Sequence, residues 1–222
     1  MRTLLKIAKR ISNKVLGTTS DLLFWRFRHF IDRRWPENYV SKQSLAHPHR
    51  SLLVEKISKY NPQNALEIGC ASGPNLILLS RKLPQAKFSG IDLSGSAIQT
   101  GKKYLELQKI KNVELRVGNV LNLKNIPDKS FDVVFTDAVL IYVGKNKIKG
   151  VLRELARIAK YAVILVEWNS VKDWEYLGHW AYNYETLFKE IAPAAKVTLT
   201  KFTEDVWPGE WSKHGGIVEV KF

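Results

Sequence analysis

The chain has 222 residues, 45% apolar and 25% charged, with a formal net charge of +14, a balance that fits one α/β domain with a sizeable core and room for a small appendage. Its single cysteine, Cys70, excludes a disulfide framework and a thiolate zinc cluster and suits a reducing cytoplasm, and no run approaches the 18 consecutive apolar residues that argue for a membrane span. The charge is uneven: residues 1–50 hold eleven Lys/Arg against three acids, a net +8, and such a field favours a polyanion or an anionic membrane surface.

Taken in chain order, MRTLLKIAKRISNKVLG (1–17) reads as an amphipathic helix. Leu4, Ile7, Ala8, Ile11 and Val15 share one side, while Arg2, Lys6, Lys9, Arg10 and Asn13 lie opposite. It could pack on its own domain, rest on a membrane surface or act as a targeting segment. Residues 21–50 mix aromatics with basic residues and are expected to form a lid that packs on the core. His47 and His49, in HPHR, lack carboxylate or thiol company and read as a surface turn rather than a metal pair. The expected division is a basic, aromatic helical extension over 1–50 and a main domain over 51–222.

From residue 51 helices and strands alternate. Helix SLLVEKISKY leads to strand NALEIG, helix NLILLSRKL, strand KFSGID, helix SAIQTGKKYLELQK and strand VELRVG. After a connector with Pro127 come strand FDVVFTDA, helix KNKIKGVLRELARIA and strand YAVILVEW. A helix around 179–191, strand KVTLTKF and strand GGIVEVKF close the chain. Such alternation predicts a mostly parallel sheet with helices on both faces. The last two strands, joined only by loop 203–214, should pair antiparallel at the sheet edge.

In open α/β sheets, ligands bind beyond the carboxyl ends of the strands. The loop after the first predicted strand, GCASGP, allows close backbone approach through Gly69 and Gly73. It lacks the Gly-Lys-Ser/Thr of a phosphate-binding loop, and it fails GxGxxG at the second and third glycines. A sulfonium nucleoside needs no pyrophosphate grip, and its cationic groups suit a carboxylate such as Glu67. A tight strand–helix turn without a ligand is the competing reading. The next strand ends in Asp92, nineteen residues after Gly73, where an acid can accept from both ribose hydroxyls. Asn119 follows the third strand and could address an adenine edge. Asp137 ends the fourth, so three of the first four strands end in an acid and the other in an amide, an arrangement foreign to a plain core.

Taken in order and at these separations, LEIGCASG, GIDLS, VGNV and FDVVFTDAVLIYV resemble the class I S-adenosylmethionine-dependent methyltransferases, strongly over about residues 50–170 and in architecture to residue 222. The resemblance implies a seven-stranded α/β sheet whose last strand is antiparallel, and S-adenosylmethionine as cofactor with no metal. It implies Glu67, Gly69 and Gly73 at the methionine moiety, with Cys70 and Ala71 in the same loop. Asp92 with Leu93 would serve the ribose, Asn119 with Val120 the adenine, and Thr136 and Asp137 the methionine end and the substrate. Departures are Ala71 for the family's middle glycine, Asn119 for a frequent acid, and Tyr142 where many relatives carry histidine. The Asn-Pro-Pro-Tyr signature of nucleic-acid amino methylation is absent.

Methyl transfer from a sulfonium is an in-line displacement that needs alignment, exclusion of water and, for a hydroxyl acceptor, a base. The candidates are Asp137, Tyr142 and His179, with Glu167 and His214 behind them. The aromatic tail (Trp174, Trp180, Tyr182, Tyr184, Trp207, Trp211) could pack on sugar or flat rings, or serve as core. The reading that follows is O-methylation of a sugar or other small polar, even lipid-linked, acceptor by a cytoplasmic enzyme, with residues 1–17 resting on an anionic membrane. An RNA methyltransferase and a non-catalytic cofactor-binding interaction module are the alternatives.

Overall fold

A computed structural model describes residues 35–176 and 178–222. The expected helix 1–17 and the aromatic stretch as far as residue 34 lie outside the described residues. Strands β1 (Asn64–Ile68), β2 (Lys87–Asp92), β3 (Val113–Val117), β4 (Phe131–Asp137), β5 (Ala159–Trp168), β8 (Lys196–Lys201) and β9 (Gly215–Lys221) form one seven-stranded sheet in the order β3-β2-β1-β4-β5-β9-β8. The first five pair in parallel, while β9 runs antiparallel to both β5 and β8. The last two strands therefore pair as expected, but the inner one is the last in sequence and β8 alone forms the edge. Order reverses between β1 and β4, which opens a crevice at their carboxyl ends.

Alternation along each strand assigns residues to the two faces. Leu66, Val134, Val163, Leu165 and Val218 pack on α6 (Lys145–Ile158) and α7 (Tyr184–Ile191). Ala65, Val133, Phe135, Ile164 and Ile217 face α3 (Pro48–Ser58) and α4 (Pro74–Lys82), and this core extends to Ile98 and Leu105 of α5 (Gly95–Leu107). Helix α6 shows the cause in its sequence: Ile148, Val151, Leu152, Leu155 and Ile158, all buried, recur at helical spacing. The helix starts are locally encoded. Gly73 takes φ +79° and hands over to Pro74 at the first turn of α4, while the Ser94 hydroxyl accepts from the Ala97 N–H and caps α5.

Three sequence expectations are corrected. HPHR is not a surface turn: Pro48 opens α3, and His49 and Arg50 are buried beneath the sheet's carboxyl edge. The helix expected from about residue 179 begins at Tyr184, where Asn183 accepts from the Thr186 N–H; His179 instead lies in β7 (His179–Ala181), paired with β6 (Trp174–Tyr176) as a small hairpin. A short helix, α8 (Glu210–His214), occupies part of loop 203–214. Ahead of the domain, α1 (Trp35–Tyr39) and α2 (Lys42–Leu45) pack on it. The buried Ser72 hydroxyl donates to the Pro36 carbonyl at 2.8 Å, tying α1 to the loop after β1. Among the described residues no helix is long and apolar enough to cross a membrane.

Candidate functional site

A cleft of about 990 Å³, counted out into its open mouth, lies at the carboxyl ends of β1 to β4, where open α/β sheets place their ligands. Gly69, Ala71, Asp92, Leu93, Asn119, Val120, Asp137 and Tyr142 all reach its wall, so eight of the expected site residues share one space. Glu67, Cys70, Gly73, Thr136 and His179 are not on that wall. Cys70 is buried in the core, Gly73 packs on Leu115 and Thr136 is buried on the α6 face. Residues 35 and 39 also line the cleft. Their Trp and Tyr rings lay in a stretch read from sequence only as a general lid.

The loop after β1 is shaped by backbone rather than by side chains. Gly69 sits at φ +76°, and a Cβ there would stand 2.3 Å from a Val139 methyl, so only glycine fits. Ala71 also takes positive φ, +49°, a strained choice for a residue with a Cβ. Its N–H donates to Asp92 Oδ2 at 2.8 Å, and the Ser94 N–H donates to Oδ1 at 2.8 Å. Burial pushes the Asp92 carboxyl up, and these two amides offset part of that. Each oxygen keeps a lone pair for a further donor, the capacity that a vicinal diol requires. Beyond Asp92, the exposed Leu93 and Leu121 and the side chain of Val120 give the cleft apolar walls. The Asn119 carbonyl oxygen accepts from the Leu121 N–H at 2.9 Å, which turns the loop and leaves the amide's NH₂ group as a donor.

Asp137 is built differently. Its Oδ2 accepts from His49 Nε2 (3.1 Å), Arg50 Nη1 (3.0 Å) and Asn75 Nδ2 (3.0 Å). Burial pushes this carboxyl up, but His49 and Arg50 more than offset it and hold the group well below the usual carboxylate range. A carboxylate so held is a poor proton acceptor, which argues against Asp137 as the base. Asn75 also donates to Glu67 Oε1 (2.6 Å) and accepts from Arg50 Nη1 (2.7 Å), so α3, α4, β1 and β4 meet in one network. His49 Nδ1 and His47 Nδ1 stand 2.6 Å apart, and His49 stacks on Trp207 at 4.0 Å. Burial, then His49 and Arg50, lower the His47 imidazole.

Two buried oxygens in this network, Glu67 Oε2 and Asp137 Oδ1, have no hydrogen-bond partner among the described residues. Burial raises the Glu67 carboxyl well above its ordinary value, the more so with Asp137 near. An adjoining cation would relieve both oxygens, so the donor set fits the ammonium and sulfonium of an S-adenosylmethionine methionine moiety.

On the acceptor side, Tyr142 ends a 3₁₀ turn (Leu140–Tyr142) and its ring lies 5.0 Å from that of His179. Contacts continue from His179 to Trp168 (5.4 Å), and from Trp168 to Trp174 (5.9 Å), His214 (5.7 Å) and Trp211 (6.2 Å). Glu167 is fully buried and turned away from the cleft, bonded to Thr136 and to the loop after β4.

A mostly parallel sheet of this order, with an acid-lined crevice at its strand tips, defines a Rossmann-like enzyme for an adenosyl cofactor. A family model described as "Methyltransferase domain" matches residues 61–204, and the chain belongs to the class I S-adenosylmethionine-dependent methyltransferases. It is similar to a demethylmenaquinone methyltransferase of Thermotoga maritima, 31% identical over 114 residues, 50% of this chain and 45% of that protein. It is also similar to a tRNA (guanine-N(7)-)-methyltransferase of Chloroherpeton thalassium, 30% identical over 105 residues, 46% of each. The chain thus spans about half the length of these curated relatives. Among solved structures, a SAM-dependent methyltransferase from Aquifex aeolicus superposes with a TM-score of 0.64 at 16% identity, over 86% of this chain and 98% of that one. The two named relatives take unlike acceptors at nearly equal identity, so the similarity follows the shared cofactor fold and not the acceptor.

Proposed function

We propose that this methyltransferase acts on a hydroxyl of a sugar or another small polar acceptor, lipid-linked acceptors included. The observation that carries the reading is the ring cluster that begins at the cleft wall with Tyr142 and continues through His179 to Trp168, Trp174 and His214. Aromatic faces pack on the apolar faces of sugar rings, and imidazole is the commonest general base for a hydroxyl.

When bound, S-adenosylmethionine supplies an electrophilic methyl group on a sulfur that leaves neutral. In this reading the chain's own residues do the rest. Asp92 accepts from the ribose hydroxyls, and Leu93, Val120 and Leu121 cover the adenine and exclude water. Glu67 and Asp137 balance the cationic methionine end. Tyr142 orients the acceptor hydroxyl, and His179 takes its proton as the new bond forms.

The test is methyl transfer from isotopically labelled S-adenosylmethionine to nucleotide sugars, a lipid-linked oligosaccharide and bulk tRNA in parallel. Label in a sugar supports the reading. On the scale of general-base catalysis, His179→Ala then lowers kcat by about a hundredfold or more with S-adenosylhomocysteine affinity unchanged. Label in tRNA alone overturns it in favour of the second reading, an RNA methyltransferase, which the net +8 over residues 1–50 supports.

A further inference from the structure

We infer that Glu167 is a positioning residue: its buried carboxylate is the strut that holds the loop after β4 against the cofactor cleft, so that cofactor affinity falls when that carboxylate is neutralised. The inference rests on the family's cofactor and not on the proposed acceptor. Glu167 Oε1 accepts from Thr136 Oγ1 (2.7 Å) and from the Val139 N–H (3.0 Å), and Oε2 accepts from the Ile141 N–H (3.1 Å). Three donors converge on two oxygens, and only a carboxylate accepts at both. Glutamine would turn an NH₂ group towards one of those donors.

The loop held in this way is not a regular one. Ala138 sits at φ +58°, and the 3₁₀ turn over Leu140–Tyr142 follows at once. Its residues reach the cofactor: Ala138, Val139, Tyr142 and Val143 line the cleft, and the Val139 side chain fills the space over Gly69. A strained loop keeps its shape only where its surroundings over-determine it. Here the Glu167 carboxylate acts between two outer ties, the Ala138 N–H donating to the Val166 carbonyl (2.9 Å) and the Tyr182 hydroxyl donating to the Val143 carbonyl (2.5 Å).

Burial pushes the Glu167 carboxyl up to about 7, with the loop amides and Thr136 offsetting part of the cost. On α7 it meets Tyr184, a buried phenol raised by burial and then by Glu167 itself, with Tyr182 and Asp173 acting on that phenol in turn. On β9 its register partner is Gly216, which has no charge. On β4 the neighbouring Asp137 points to the opposite face, towards α3. Protonation relieves the buried charge but puts a hydrogen on one of the two oxygens that these donors face, so they are no longer all accepted equally.

The test is calorimetry of the full chain with S-adenosylhomocysteine from pH 6 to 8.5. If the ionised strut is the binding form, affinity drops about tenfold from pH 8 to pH 6. Glu167→Gln binds more weakly at pH 8 and loses that slope. Thr136→Val, nearly isosteric, removes one donor from the carboxylate and moves the midpoint to higher pH. A flat wild-type profile together with Glu167→Gln binding as tightly as wild type at pH 8 overturns the inference. So does Glu167→Gln with the wild-type slope, which assigns the titration to Glu67 or Asp92. Should Glu167→Gln fail to fold, the Thr136→Val midpoint decides alone, and an unmoved midpoint overturns the inference.

Discussion

Asp92 and Asp137 reach the same cleft from neighbouring parts of the sheet, yet they are held by opposite means. Asp92 is fixed by two backbone amides, from residues 2 and 21 positions away, and burial leaves its carboxyl raised. Asp137 is fixed by side chains of residues 88, 87 and 62 positions away, and His49 and Arg50 hold it low. A carboxylate gripped by amides keeps lone pairs and freedom to serve a neutral ligand. One gripped by a buried cation is part of the fold, and disturbing it disturbs the fold first.

The contrast can be broken most forcefully at Arg50. Arg50→Met takes the guanidinium away from the buried Asp137, leaving it His49 and Asn75, and should destabilise the protein by roughly 3 kcal/mol, a fall in Tm on the order of 10 °C for a chain of this size. Thermal unfolding with less than about 1 kcal/mol of loss would mean that the pair is dispensable. Asp92→Ala, by contrast, should cost less Tm, since it leaves two amides without their acceptor but removes a buried carboxyl that burial already disfavours, and should weaken S-adenosylhomocysteine binding more than tenfold, at least ~1.4 kcal/mol; an unchanged titration removes Asp92 from the ribose. The acid limb sharpens the comparison. Because Asp137 is depressed, its contribution to stability is present above the unfolded value of about 3.9 and is lost as pH falls through that value towards the folded one. Asp137→Asn should therefore flatten the loss of stability below about pH 4, measured by denaturant unfolding at stepped pH. Asp92, raised rather than depressed, should show no such loss. The smallest effect belongs to Ala71→Gly. Relief of left-handed strain nearly balances the added freedom of the unfolded chain, so stability should change by less than about 1 kcal/mol, whereas the same exchange inside a helix costs about that much.

The same contrast explains what could be read in advance. Asp92 was legible because its partners are local: a glycine loop, a strand tip and a serine cap are all written within about two dozen residues. The sheet was legible because helical spacing in α6 and the apolar runs of β1, β4 and β5 each report burial on their own. His49 and Arg50 were not legible, since nothing near HPHR reveals a carboxylate 88 residues on. Glu167 entered the sequence reading as a base, because a strand-tip acid looks alike whether it faces a ligand or a loop. His179 was assigned to a helix because its aromatic neighbours have no clear period. The start signal was nonetheless present in Asn183, whose side chain caps α7.

Trp35 stands on the cleft wall, and Arg33 and Arg34 immediately precede it in the chain. The described chain therefore enters the domain at the cofactor's doorway, and any change in how α1 is seated would alter that opening directly.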